Sequence, residues 1–189
     1  MLIKKLIFLL SFISFFVFLA MIFLGIHWGV FSSVEFSLSR RDKMNFISTK
    51  HPTYYPDIQS QIDSVKNYLS AKKIKLETAA TVIWDEPTYS VLNKLRASGG
   101  FFYHDSFSIG DSMFRKIILD SGMVVLGSLK AHPQIAPYKL YPALSEWLYN
   151  TEFKRDSSRV IVQITKANGE IEVAYPIHSI FQSSDDTMK

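Results

Sequence analysis

Apolar positions follow three rhythms along this chain. From Leu6 to Ile26 they run almost without interruption, only Ser11 and Ser14 carrying a polar side chain. Lipid offers a backbone no hydrogen-bond partner, so a helix of about 20 apolar residues, which satisfies its own amides, is what crosses a bilayer. The run has that length, with Lys4 and Lys5 before it and Trp28 at its far edge, where an amphipathic ring suits the interface. The rival reading is a cleaved signal peptide, whose apolar part would be about 7–15 residues followed by a small-x-small site, and FLGIHWGVFSS is a poor one. The two leading lysines place the soluble part on the non-cytoplasmic side, while Arg40, Arg41 and Lys43 argue the opposite way.

The second rhythm is alternation, the mark of half-buried strands. Ser33–Leu38 and Met44–Thr49 alternate on either side of the basic cluster at residues 40–43, which predicts a hairpin. Thr78–Trp84 reads as a buried strand stopped by Asp85-Glu86-Pro87. Asn93–Tyr103 reads as another, its Gly99-Gly100 pair predicting a bulge or a close backbone approach. Met123–Leu129 and Ile135–Leu140 follow, then Arg159–Thr165 and Glu170–Tyr175, joined by the hairpin signal Asn168-Gly169.

The third rhythm is helical. Tyr55-Pro56-Asp57 opens a stretch in which Ile58, Ile62, Val65 and Leu69 share one face, ending near Ala71. Tyr141-Pro142 opens a second, with Leu144, Trp147 and Leu148 as its stripe. A short helix is also expected from Asp111 or Ser112 to Ser121, because Met113/Ile117 and Phe114/Ile118 lie one turn apart before Gly122.

Laid side by side, the two halves share an order of elements: hairpin, Tyr-Pro helix, two strands. His51-Pro52 likewise echoes His132-Pro133. The expected fold is α+β, with duplicated ββαββ modules forming one antiparallel sheet and two main helices on one face, preceded by an N-terminal transmembrane helix. The domains are then an anchor over 1–30, the duplicated domain over 31–178 and a flexible tail over 179–189.

Composition narrows the chemistry. There are 21 basic and 17 acidic residues, a net charge of +4, and without Lys4 and Lys5 the balance is nearly even. No concentrated basic face results, and nucleic acid is not expected as a partner. With no cysteine there is no disulfide framework, thiolate metal site or cysteine nucleophile. The five histidines show no metal-ligand spacing, so no metal and no cofactor are expected. Gly110-Asp111-Ser112-Met113 is similar to the serine block of GDSL hydrolases, but no aspartate-x-x-histidine follows.

Four segments carry a resemblance to a known family: Val82-Ile83-Trp84-Asp85-Glu86-Pro87, Lys94-Leu95-Arg96-Ala97-Ser98-Gly99-Gly100, Tyr141-Pro142-Ala143-Leu144-Ser145-Glu146-Trp147-Leu148 and Glu172-Val173-Ala174-Tyr175-Pro176-Ile177. The chain resembles the GyrI-like family over about Val34 to Ile177. With its single span it is similar to a membrane-anchored branch of that family, which includes a testis-expressed reticulophagy receptor and bacterial counterparts. The resemblance implies a duplicated module with a ligand cleft between its halves. It also implies a glutamate facing the cleft from the strand before the last, where this chain has Gln163. An amide hydrogen-bonds but brings neither charge nor a proton acceptor.

Trp84, Tyr103, Tyr138, Tyr141 and Trp147 are candidates for aromatic walls of such a cleft, with the plain alternative that large aromatics build the core. Gln163 shares its strand face with Ile161 and Thr165, and Glu172 on the neighbouring strand is the candidate replacement for the missing acid. The expected function is binding, without catalysis, of a small hydrophobic or aromatic ligand or a protein partner, in a domain held at a membrane through Leu6–Ile26. The alternatives are a hydrolase of electrophilic compounds that uses Glu172 or Asp85, and a scaffold whose cleft is filled by its own side chains.

Overall fold

The computed structural model describes residues 2–87, 94–104 and 107–179. The long apolar run forms α1 (Leu2–His27), whose large side chains from Ile7 to Ile26 are exposed. Among the described residues this is the helix long and apolar enough to cross a membrane.

In the first half, β1 (Glu35–Arg41), β2 (Met44–Thr49) and β3 (Thr53–Tyr54) lead through a 3-10 turn at Tyr55–Asp57 into α2 (Ile58–Ala71), followed by β4 (Ala79–Ile83) and β5 (Arg96–Tyr103). The second half holds β6 (Phe114–Leu119), β7 (Gly122–Lys130), α3 (Ala136–Tyr149), β8 (Phe153–Arg155), β9 (Ile161–Thr165) and β10 (Glu170–Ser179). One antiparallel sheet runs β1-β7-β10-β9-β4-β5-β2-β6, with β3 on β5 and β8 on β10. That order reads the same from either end once halves are exchanged, so a pseudo-twofold axis passes between β4 and β9, with Thr81 paired to Gln163 across it.

The expected duplication and single sheet are present, but β1 and β2 do not form a hairpin. β1 pairs with β7 and β2 with β6, and the two ladders share one register: Arg41 lies opposite Gly122, Met44 opposite Leu119. The chain therefore runs on through Asp42 and Lys43, and residues 35–49 with 114–128 make one two-stranded ribbon. Alternation announces a strand but not its partner. β6 also replaces the helix expected at 111–121. Asp111 caps a turn instead, its Oδ1 accepting from Met113 N at 2.8 Å, and β6 packs Ile117 and Leu119 beneath the sheet beside Phe46.

The strand expected at Ile135–Leu140 is the start of α3. Ala136, Leu140 and Leu144 lie on one buried face at four-residue spacing, with Pro137 in the first turn, where its missing N–H costs nothing. Pro142 accordingly lies inside the helix rather than opening it. The proline that answers Pro56 is Pro137, and the matched Tyr-Pro pairs are not structurally equivalent. Asn93 and the tail from residue 180 lie outside the described residues.

Both helices cover one face. α2 buries Val65 and Leu69 against Ile47, Phe101 and Tyr103, each aliphatic side chain contributing roughly 1.5–3 kcal/mol. It lies directly on β5 because Gly99 has no side chain: a Cβ there would sit 2.7 Å from Ile62 Cγ1 and 2.8 Å from Ile58 O. α3 packs Leu140, Tyr141 and Leu144 over Ile161, Ile171 and Val173. The opposite face has its own core of Phe46, Val82, Phe102 and Val162.

Candidate functional site

A cavity of about 840 Å³ opens where the helix face crosses the pseudo-twofold axis. Its floor holds Thr81 and Gln163; Ile58 and Ile62 of α2 form one wall, Pro133, Pro137 and Tyr138 the other. Among the described residues no aspartate, glutamate, lysine or arginine lines it.

Gln163 is 7% exposed, a buried amide that needs partners. Two tyrosines supply them. Tyr55 Oη and Tyr141 Oη both donate to Oε1, at 3.0 and 3.2 Å, and Nε2 donates to Tyr55 Oη at 2.8 Å. Burial pushes the Tyr55 phenol up to about 12, against a smaller downward pull from the Gln163 hydrogen bond. Burial likewise holds Tyr141 well above the ordinary tyrosine range, reinforced by Tyr55 and Tyr175. Both phenols stay protonated at neutral pH, acting as fixed donors rather than bases. Gln163 is thus a neutral amide locked by two hydroxyls.

The rim is joined to α1. Trp28 O accepts from His132 N at 3.0 Å, and the indole stacks on the His132 imidazole at 5.4 Å between centroids. Lys139 Nζ donates to Val30 O at 2.6 Å and also to Ser32 O. Gly29, at φ +72°, makes the turn possible: a Cβ would fall 2.4 Å from Lys130 O. His132 thus serves both the cavity rim and the seat of the apolar helix, while Lys139, next to the rim residue Tyr138, holds the segment that follows it.

Of the predicted site residues, Tyr138 and Gln163 line the cavity, and Tyr141 supports Gln163 from behind. The other four lie elsewhere, for reasons of strand parity and core packing. Ile83 faces the helices, so Trp84 faces away; its Nε1 donates to Ser98 Oγ at 3.2 Å with the Arg115 guanidinium 5.2 Å above the ring. Tyr103 belongs to the α2 core beside Phe107. Trp147 stacks on Phe153. Glu172 lies between Ile171 and Val173, both turned to α3, so it sits on the opposite face, paired with Lys166 at 2.8 Å. Asp85, the other acid considered, is bound to Arg96 at 2.6 Å.

Tyr55, Thr81, Ile58 and Ile62 were not anticipated as site residues. Thr81 carries a readable signal, a hydroxyl within the otherwise apolar stretch Ala79–Ile83. Tyr55 carries none, since its partner is 108 residues away.

No family model matches the chain, and no curated protein matches it in sequence. Solved structures do match the fold. The EcmrR–DNA complex shares 10% identity at a TM-score of 0.63, over 78% of this chain and 58% of that one. The EcmrR C-terminal domain alone shares 10% identity at 0.61, over 78% and 99%. An integron cassette protein from Vibrio cholerae shares 14% at 0.51, over 78% and 99%, and a hydrolase from Listeria innocua 9% at 0.54, over 77% and 93%. The chain shares the fold of these structures. The chain spans little more than half of the EcmrR chain in its DNA complex. The exclusion of nucleic acid is corrected by the same finding: this fold occurs in a DNA-bound assembly, so near-balanced charge on the domain does not exclude DNA as a partner.

Proposed function

We infer that this chain is a membrane-tethered GyrI-like domain that binds a small, neutral, largely apolar ligand in the cavity between its halves, without catalysis. The observation that carries the reading is an open cavity of about 840 Å³ with no carboxylate, lysine or arginine among the described residues of its lining and a buried amide at its floor. Aliphatic and aromatic walls supply burial, and Gln163, held by Tyr55 and Tyr141, reads one polar group of the ligand. The length and exposure of α1 support the tether, with residues 1–30 as anchor, 31–178 as ligand-binding domain on the non-cytoplasmic side and 179–189 as tail. A single span followed by this fold is also the arrangement of the membrane-anchored branch.

Sharing a fold with a Listeria hydrolase supports hydrolysis less well, because Glu172 and Asp85 both lie away from the cavity and are already paired. A scaffold with a filled cleft fits less well still, given the open volume.

Thermal unfolding of the full chain in lipid nanodiscs, with neutral aromatic compounds and hydrophobic amines compared, tests this. A ligand at a hundred times its Kd stabilises by about 2.7 kcal/mol, roughly 5–10 °C for a domain of this size. Neutral compounds should give that shift and Gln163→Leu should lose it. Gln163→Glu should turn the preference toward the amines. An unchanged ligand profile in both variants overturns the assignment.

A further inference from the structure

A second cavity, of about 210 Å³, lies on the sheet face turned away from the helices, under the ribbon. Met44, Phe102, Val124, Val162, Ile164 and Ala174 make it mostly apolar. The exposed Arg40 and the buried Arg41 also line it, Arg41 being only 9% exposed. Arg41 Nη2 donates to Asp120 O at 3.3 Å. Its Nε and Nη1 are buried without a partner among the described residues. The carboxylate that lines this cavity, Glu172, already holds Lys166. The Arg159 guanidinium, packed against Gly122, adds to the positive field, and the exposed Asp120 carboxylate offsets it only through space.

Burying an ionised group without a counter-ion is among the most costly arrangements a fold can contain. Arginine stays charged under all ordinary conditions, so it cannot escape by losing its proton. What Nε and Nη1 lack is an anion whose oxygens accept from them directly; what the site offers around that anion is mostly apolar surface. We propose that this cavity is a second ligand site, for a small monocarboxylate whose carboxylate pairs with Arg41 and whose apolar body lies on Val124, Val162, Ile164 and Ala174. A dry cavity of about 150 Å³ accommodates benzene, so this volume suits a body of one aromatic ring or a short branched chain. The site shares no lining residue with the cavity at Gln163 and does not depend on the reading given to that one.

Benzoate is the probe, added at millimolar concentration to the full chain in lipid nanodiscs, with benzyl alcohol and inorganic phosphate as controls at equal ionic strength. Thermal unfolding and saturation-transfer NMR read the binding. Benzoate should raise Tm by several degrees where benzyl alcohol and phosphate do not. Arg41→Met should weaken benzoate binding roughly tenfold or more without lowering the Tm of the unliganded chain, since it removes a buried guanidinium with two unsatisfied nitrogens. Ala174→Leu, which fills the cavity and leaves Arg41 in place, should abolish binding, while Gln163→Leu should leave it unchanged. The proposal is overturned if benzoate gives no shift, if benzyl alcohol or phosphate gives the same shift, or if benzoate binds Arg41→Met and Ala174→Leu as it binds the parent chain.

Discussion

The two halves place different residues at equivalent points of one sheet. At the axis itself Thr81 faces Gln163. One sheet position further out, Gly100 lies opposite Ala80 and Ser48, and Ala174 opposite Val162 and Leu126. The first half has become a place of close approach, its glycines letting backbone and helix in. The second half carries the buried amide, held by Tyr141 of its own half and by Tyr55 of the first. A duplicated fold needs its symmetry only for the sheet; the residues at the axis are free to divide the work.

The sharpest way to break this comparison is Gly100→Ala. The new Cβ would lie 1.8 Å from Ile47 O, a backbone atom that has nowhere to go. A loss of about 3 kcal/mol or more is expected in denaturant unfolding, against about 0.5–1 kcal/mol for the mirror change Ala174→Gly. Equal costs would show that the halves are interchangeable here.

Next in size is Gln163→Leu, which leaves two buried hydroxyls without their acceptor and should cost about 2 kcal/mol. A double-mutant cycle with Tyr55→Phe should show coupling of about 1 kcal/mol. Thr81→Val on the other side of the axis should cost less than about 1 kcal/mol and lower ligand affinity less than Gln163→Leu does. If it cost as much as Gln163→Leu, the division of labour described above would fail.

The smallest effect separates an ion pair in each half. In the second, burial pushes the Asp156 carboxyl up, but hydrogen bonds from Ser158 and Arg159 outweigh it and hold the group below its ordinary value of 3.8. In the first, the hydrogen bond from Arg96 does the same for Asp85. A carboxyl depressed in the folded state contributes stability above its unfolded pKa, which is lost as pH falls through the folded value. Both contributions should therefore be complete above about pH 5 and fade below about pH 4. Arg159 is 13% exposed and also donates to Met123 O and Ile177 O, whereas Arg96 is 66% exposed. Asp156→Asn should visibly flatten the acid limb of an unfolding-versus-pH curve, and Asp85→Asn should change it little.

Local pattern revealed much of this molecule. The uninterrupted run became α1, the face of Ile58, Ile62, Val65 and Leu69 became α2, and Asn168-Gly169 turned between β9 and β10. What local pattern lacked was partnership. The alternation of β1 and β2 was legible, but their ladders lie with segments about 80 residues away. Met113, Phe114, Ile117 and Ile118 repeat at helical spacing, and only pairing with β2 makes that stretch a strand. Gln163 stood out because an amide among Ile161, Val162 and Ile164 must be satisfied. That Tyr55 satisfies it, and that Trp84 and Glu172 face the other way, follows from parity fixed across the whole sheet.

The crossing ribbon has one more consequence. β1 belongs by sequence to the first half yet borders β7, and β6 belongs to the second yet borders β2, so each half completes itself with a strand lent by the other. Fragments divided in the connection between β5 and β6 would each expose an unpaired edge shaped for its counterpart. Co-expressed, they should associate into the parent architecture, whereas either alone should collect in inclusion bodies.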